Sequence, residues 1–209
     1  MPTIIYEKQK VIYCAIEKCA ITRLISYFGT IYKQETKRGY PPDLAEQIFF
    51  PAKEIFKSNY PISYAKKKYP DYFIFSFVRN PFDRVVSNYH FNLGPWIRRH
   101  KKGEFEKVPT FEEYCLNMEK WNNLQPLSFY VDIDIDFIGK VENFKQDFDR
   151  LHKILKIDIA YNEGNHPLNR IENRSGRKEK KYQNFYSKES RAAIEEKYAE
   201  DLERFKYKF

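Results

Sequence analysis

The sequence predicts an α/β domain built on a mostly parallel central sheet flanked by helices, and three observations carry the prediction. The run Tyr72-Phe-Ile-Phe-Ser-Phe77 is apolar and aromatic apart from Ser76, the pattern of a strand covered on both faces. It passes straight into a segment that opens like a helix, and a second strand, loop and helix can be read near the N-terminus. Finally, 209 residues with 42% hydrophobic and 32% charged content suffice for one domain with a proper core and fall short of two ordinary ones, so a single domain over residues 1–209 is expected.

The N-terminal unit begins with Val11-Ile-Tyr-Cys-Ala-Ile16, a short β-branched strand. A loop of Glu17, Lys18, Cys19, Ala20, Ile21, Thr22 and Arg23 follows, and then Leu24, Ile25, Phe28, Ile31 and Tyr32 recur at helical spacing. Helix N-termini attract anions; Lys18 can place an ammonium over a phosphate, Thr22 can cap or bond an oxyanion, and Arg23 adds charge at the helix start. The loop has no glycine and fails the G-x-x-x-x-G-K-[ST] pattern, which disfavours an ordinary nucleotide triphosphatase. Residues 29–71 mix Gly39, Pro41, Pro42, Pro51, Pro61 and Pro70 with short helical patterns such as Leu44 and Ile48, or Ala52, Ile55 and Phe56, where a lid over an acceptor would fit.

After the central strand, Asn80 is an N-cap, Pro81 occupies the first helical position, and Asp83 lies in the first turn, where the dipole favours a carboxylate. A helix therefore starts at Pro81. Arg79 stands just ahead of its free N–H groups with a planar fork suited to a phosphate, and Ser87 lies two turns on. Residues 94–110, with Arg98, Arg99, His100, Lys101, Lys102 and Gly103, predict a basic, turn-rich excursion that is either a solvated loop or a contact for an acidic glycan. Residues 164–184 are again polar and basic. In the last segment Ile194, Tyr198, Leu202 and Phe205 form an apolar stripe behind a Ser187 cap, a packing helix.

A formal net charge of +8 favours polyanionic partners without choosing among them. Three cysteines argue against a disulfide framework. Cys19 stands in the phosphate loop either as a reactive thiol or as a small loop-filling side chain, the commoner behaviour of cysteine. No hydrophobic run approaches the length of a membrane span and the first fifteen residues lack a signal layout, so the chain as written is expected in the cytoplasm.

Taken together, the blocks resemble the sulfotransferases that use 3′-phosphoadenosine 5′-phosphosulfate, in particular the carbohydrate branch of chondroitin and heparan O-sulfotransferases. Ile12 to Arg23 is similar to that family's Pro-Lys-x-x-x-Thr loop, and Phe77 to Ser87 to its Arg-[Asp/Asn]-Pro-x-x-Arg-x-x-Ser segment. Asp136-Phe-Ile-Gly-Lys-Val-Glu142-Asn-Phe-Lys-Gln-Asp147 resembles a third family stretch, and Tyr198-Ala-Glu-Asp201-Leu-Glu-Arg-Phe205-Lys-Tyr207 its terminal pattern. The four blocks fall in the family's order along nearly the whole chain.

The resemblance implies a three-layer fold of the P-loop NTPase type and transfer of a sulfuryl group from the phosphosulfate donor to a carbohydrate hydroxyl, with an acidic polysaccharide among the expected acceptors. It implies no metal. Lys18 would stand as the cation beside the bridging oxygen, where negative charge grows during transfer. Lys18, Cys19, Ala20, Ile21, Thr22 and Arg23 would hold the 5′ side of the donor, Arg79 and Ser87 the 3′-phosphate, and Ser175, Arg177 and Lys178 would close over the nucleotide. The eukaryotic relatives are membrane-anchored in the Golgi, which implies the Golgi lumen if an anchor has been removed.

Two departures from the family pattern stand out. Glu17 replaces a proline and adds a like charge beside the phosphosulfate, and no histidine precedes the Arg79 strand; the four are His90, His100, His152 and His166. The general base is thus left between Glu54, in a carboxylate-bearing stretch with Asp43 and Glu46, and His90, while His166 matches a His-x-x-Asn element or only a turn. Three rival readings follow: a weakened, nucleotide-binding relative; a phosphoryl transferase, which lacks its glycine-rich loop; and a basic nucleic-acid-binding module. Against the last, the aromatics lie in apolar runs rather than interleaved with lysines, and no nucleic-acid partner is expected.

Overall fold

A computed structural model describes residues 3–6, 10–21, 23–24, 62–104, 106–121, 124–156, 179 and 181–209. In chain order its elements are β1 (Thr3–Tyr6), β2 (Val11–Cys14), α1 (Ile62–Lys68), β3 (Phe73–Val78), α2 (Pro81–Lys101), α3 (Phe111–Leu116), α4 (Met118–Trp121), α5 (Leu127–Tyr130), β4 (Phe137–Lys140), α6 (Phe144–Leu155), α7 (Lys188–Lys197) and α8 (Ala199–Arg204). Short 3₁₀ turns at Val141–Asn143 and Tyr182–Phe185 precede α6 and α7. The chain divides into two compact units: Met1–Val78 with Phe129–Glu172, and Arg79–Ser128 with Asn173–Phe209.

The first unit is a mixed α/β body around a four-stranded sheet of order β1-β2-β3-β4. β1 pairs antiparallel with β2, whereas β2, β3 and β4 are parallel, with Cys14 opposite Ser76 and Phe75 opposite Phe137. As the aromatic run predicts, β3 is buried on both faces, and Ile74, Phe75, Phe77 and Val78 have no exposure. On one face Val11, Tyr13, Phe75, Phe77 and Phe137 pack with Phe144, Phe148 and Leu151 of α6 and with Leu24. α6 is amphipathic, so its apolar stripe closes this layer. Ile12 and Ile74 are fully buried on the other face.

α2 dominates the second unit. Asn80 Oδ1 accepts from Phe82 N at 3.0 Å, Pro81 follows it, and Asp83 lies in the first turn, the start that the sequence predicts. Phe82, Val85, Val86 and Trp96 of α2 share a core with Phe111, Tyr114, Ile194 and Tyr198. The turn-rich excursion expected from residue 94 is not found at its start, because α2 continues through Gly94 and Pro95 to Lys101. Proline removes one helical hydrogen bond there, but Trp96 is almost completely buried, with its ring 5.5 Å from Tyr114 and 5.9 Å from Trp121, and this packing overrides the local breakers. The Ser187 cap forms as expected, accepting from Ser190 N at 3.1 Å, while the terminal stripe is split at Tyr198 into α7 and α8. Among the described residues no helix is long and apolar enough to cross a membrane.

Candidate active site

The parallel register places the carboxyl ends of β2 and β3 at one edge of the sheet, where ligands of open α/β sheets are bound. The loop leaving β2 at that edge has an uncommon backbone. Lys18 and Ala20 are left-handed, with φ of +64° and +65°, and neither is glycine. Each such residue costs on the order of 1 kcal/mol or more, and strain of this kind concentrates at ligand-holding loops. The turn is fastened at both ends: Cys19 N donates to the Ile16 carbonyl at 3.1 Å, and the Ala20 carbonyl accepts from Arg23 N at 3.0 Å and Leu24 N at 3.2 Å. Backbones that alternate in handedness gather N–H groups into anion-binding concavities.

The side chains of this loop have distinct fates. Lys18 is half-buried. Cys19 is fully buried, which fits the loop-filling reading rather than the reactive one. Ile21 packs against the core of the first unit, and the Arg23 guanidinium lies 5.3 Å from the centroid of the Phe144 ring. In the neighbouring strand burial pushes the Cys14 thiol up to about 12, so it is no nucleophile at neutral pH. Among the described residues no disulfide joins Cys14, Cys19 and Cys115, all of them buried.

In the second unit Arg79 makes an ion pair with Asp83, with Nε at 2.8 Å and Nη2 at 2.6 Å from Oδ2. The pair fixes the guanidinium on the first turn of α2. Ser87 is buried farther along the same helix, and His90 lies edge-on to Phe185 at 5.2 Å and to Tyr89 at 5.5 Å. Asn80 does more than cap: its Nδ2 donates to the Lys208 carbonyl at 2.8 Å and to Tyr182 Oη at 3.2 Å. Tyr186 Oη donates to the Phe82 carbonyl at 2.8 Å, and Phe209 packs on Phe82 at 4.8 Å. The Arg79 turn is therefore held from behind by the chain's last segment.

The third and fourth sequence blocks prove architectural. Asp136 Oδ2 accepts from Ile74 N at 2.7 Å, and Asp147 Oδ2 accepts from Lys140 N at 2.8 Å, tying β4 to β3 and to α6. Gly139 leaves room for Phe77, since a Cβ there would lie 2.5 Å from the ring. In the second unit the buried Asp201 accepts from Leu127 N at 2.6 Å and Ser128 N at 2.8 Å, and Tyr198 Oη donates to the Leu124 carbonyl at 2.6 Å. Arg84, the second arginine of the Arg79 block, is fully buried and donates to the Gln125 carbonyl at 2.7 Å.

Lys18, Cys19, Ala20, Ile21 and Arg23 thus share one turn of the first unit, while in the second Arg79 immediately precedes the cap of α2, and Ser87 and His90 lie two and nearly three turns into that helix. Thr22, Glu54, Ser175, Arg177 and Lys178 lie outside the described residues, as do Asp43, Glu46 and His166. Two hollows of the second unit, about 490 and 660 Å³, are lined by none of the expected site residues. Sequence reasoning missed the amide tie of Asn80 and the Phe144 ring beneath Arg23. Asn80 was visible only as a cap, and nothing in the spacing of the third block marks Phe144.

Among known proteins, no curated protein and no solved structure matches the chain significantly. One family model does match, that of the sulfotransferase family, and it runs over residues 1–208. It takes in all four sequence blocks, the strained turn after β2 and the capped start of α2, and on this ground the chain belongs to the sulfotransferase family, a family of transferases.

Proposed function

We propose that the chain moves a sulfuryl group from 3′-phosphoadenosine 5′-phosphosulfate to a hydroxyl of a carbohydrate acceptor, within a three-layer domain of the P-loop NTPase type. The observation that carries the reading is the turn after β2, where Lys18 and Ala20 keep left-handed backbones at the carboxyl edge of a parallel sheet. Family membership makes the group transferred a sulfuryl group; the turn supplies the place for its charged donor.

Roles follow from charge. Lys18 offsets the negative charge that grows on the bridging oxygen as the sulfur–oxygen bond breaks. The backbone and side chains from Cys19 to Arg23, including Ala20, Ile21 and Thr22, hold the 5′ side. Arg79 and Ser87 take the 3′-phosphate, with Ser175, Arg177 and Lys178 closing over it. Tyr182, bonded to Asn80, supports this last assignment because it anchors the chain a few residues after Lys178 beside the Arg79 turn. The acceptor oxygen bonds to sulfur, its proton passes to Glu54 or His90, and 3′-phosphoadenosine 5′-phosphate leaves. The two aromatic rings on His90 set its orientation, and Glu54→Gln against His90→Asn decides which group is the base.

The test incubates the full chain with labelled donor and a panel of neutral and acidic glycans. Label transfer to a glycan, abolished in Lys18→Ala and unaffected by a metal chelator, is expected. Thermal protection by 3′-phosphoadenosine 5′-phosphate without transfer to any acceptor overturns the transferase reading and leaves a nucleotide-binding relative. Absence of that protection overturns both.

A further inference from the structure

We infer that Phe144 is a positioning residue for Arg23, and that the guanidinium it orients is the fixed cation of the β2 turn, directed at the 5′ side of the donor; the inference rests on the donor reading above. Arg79, Arg99, Arg150 and Arg191 each pair with a carboxylate, namely Asp83, Glu104, Asp147 and Glu195. Among the described residues no carboxylate pairs with Arg23. Its guanidinium lies over the Phe144 ring, at 5.3 Å, inside the range of a cation–π contact; Arg150 and Arg191 also lie over rings, but each has a carboxylate as well.

The ring is a fixed platform. Phe144 opens α6, is almost fully buried, packs 4.9 Å from Phe77 and stacks on Phe148 at 5.8 Å with 12° between planes. The other end of Arg23 is equally fixed, since its backbone N–H donates to the left-handed Ala20. A guanidinium held at its face keeps the N–H donors of its edges for an oxyanion, and less rotamer entropy is lost on binding than from a free lysine. Glu17 adds a negative charge to the same turn, so a second cation beside Lys18 favours the approach of an anionic donor. A residue from the third sequence block thereby acts on the site of the first.

The experiment measures binding of 3′-phosphoadenosine 5′-phosphate to the full chain by calorimetry, for the natural protein, Arg23→Met, Phe144→Leu, the double variant and Phe144→Tyr. Phe144→Leu is expected to weaken binding roughly three- to tenfold, Phe144→Tyr to restore it to within about twofold, and Phe144→Leu to add nothing once Arg23 is methionine. A merely structural Phe144 weakens binding equally in both Arg23 backgrounds, which overturns the inference. Should Phe144→Leu fail to unfold cooperatively, Arg23→Met decides alone: unchanged affinity overturns the inference while the donor reading stands. If the natural protein does not bind the probe, the donor reading and this inference fall together.

Discussion

Asn80 and Lys208 meet through a hydrogen bond of 2.8 Å from the Asn80 amide to the Lys208 carbonyl, across 128 residues of chain. In an ordinary N-cap aspartate serves as well as asparagine. Here it keeps the cap on Phe82 N but sets a carboxylate oxygen against the Lys208 carbonyl. Asn80→Asp is therefore expected to lose about 1–3 kcal/mol, as much as Asn80→Ala, by chemical denaturation. Stability equal to that of the natural protein would show that the cap alone matters.

The left-handed backbone at Lys18 separates stability from activity. Lys18→Gly relieves the strain and is expected to be more stable than Lys18→Ala by roughly 1 kcal/mol, offset in part by glycine's greater freedom when unfolded. Both variants should lose transfer activity by about a hundredfold or more. Paired thermal melts and turnover assays check the opposition; retained turnover in either variant removes Lys18 from the chemistry.

Gly139 is a packing requirement of the sheet. A Cβ would stand 2.5 Å from Cε1 and 2.7 Å from Cζ of the buried Phe77 ring, which is itself wedged against Phe137 and Phe144. Gly139→Ala is expected to cost about 1–3 kcal/mol, and Phe77→Leu in the same chain to recover part of that loss. Additive losses in the double variant would place the strain elsewhere.

Asp201 gives a pH dependence. Burial raises its carboxyl above the usual 3.8, against the lowering effect of the Leu127 and Ser128 N–H groups and of Arg84. A raised acid in the folded state favours its protonated form, so its contribution is fullest below the unfolded value and declines as pH rises through the folded one. Asparagine cannot accept from both N–H groups, so Asp201→Asn is destabilised throughout, and the gap from the natural protein should widen as pH falls from neutral toward 4. Denaturation of both proteins across that range measures it; a gap that narrows on acidification reverses the assignment.

What the sequence disclosed was local. The start of α2 could be read because Asn80, Pro81 and Asp83 act on their own helix within one turn, and Ser187 likewise on α7. β3 announced itself by continuous burial. The basic stretch after residue 94 misled because Gly94 and Pro95 are breakers by themselves, and the burial of Trp96 that carries the helix through them depends on Tyr114 and Trp121. At the site, Lys18 and Arg23 could be named but not their surroundings: the backbone of the turn is not written in residue types that favour it, and the Phe144 ring arrives from another element. Asp201 was visible in the terminal pattern, yet its partner Leu127 lies 74 residues away, beyond any local rule.

The bond between Asn80 and Lys208 also orders the birth of the molecule. The first turn of α2 leaves the ribosome 128 residues before the carbonyl that secures it, and the start of α5 likewise waits 74 residues for Asp201. Nascent chains stalled upstream of residue 208 carry Arg79 on an unsecured turn, so anion affinity of the second unit should arise abruptly once residue 208 has emerged rather than accrue with length.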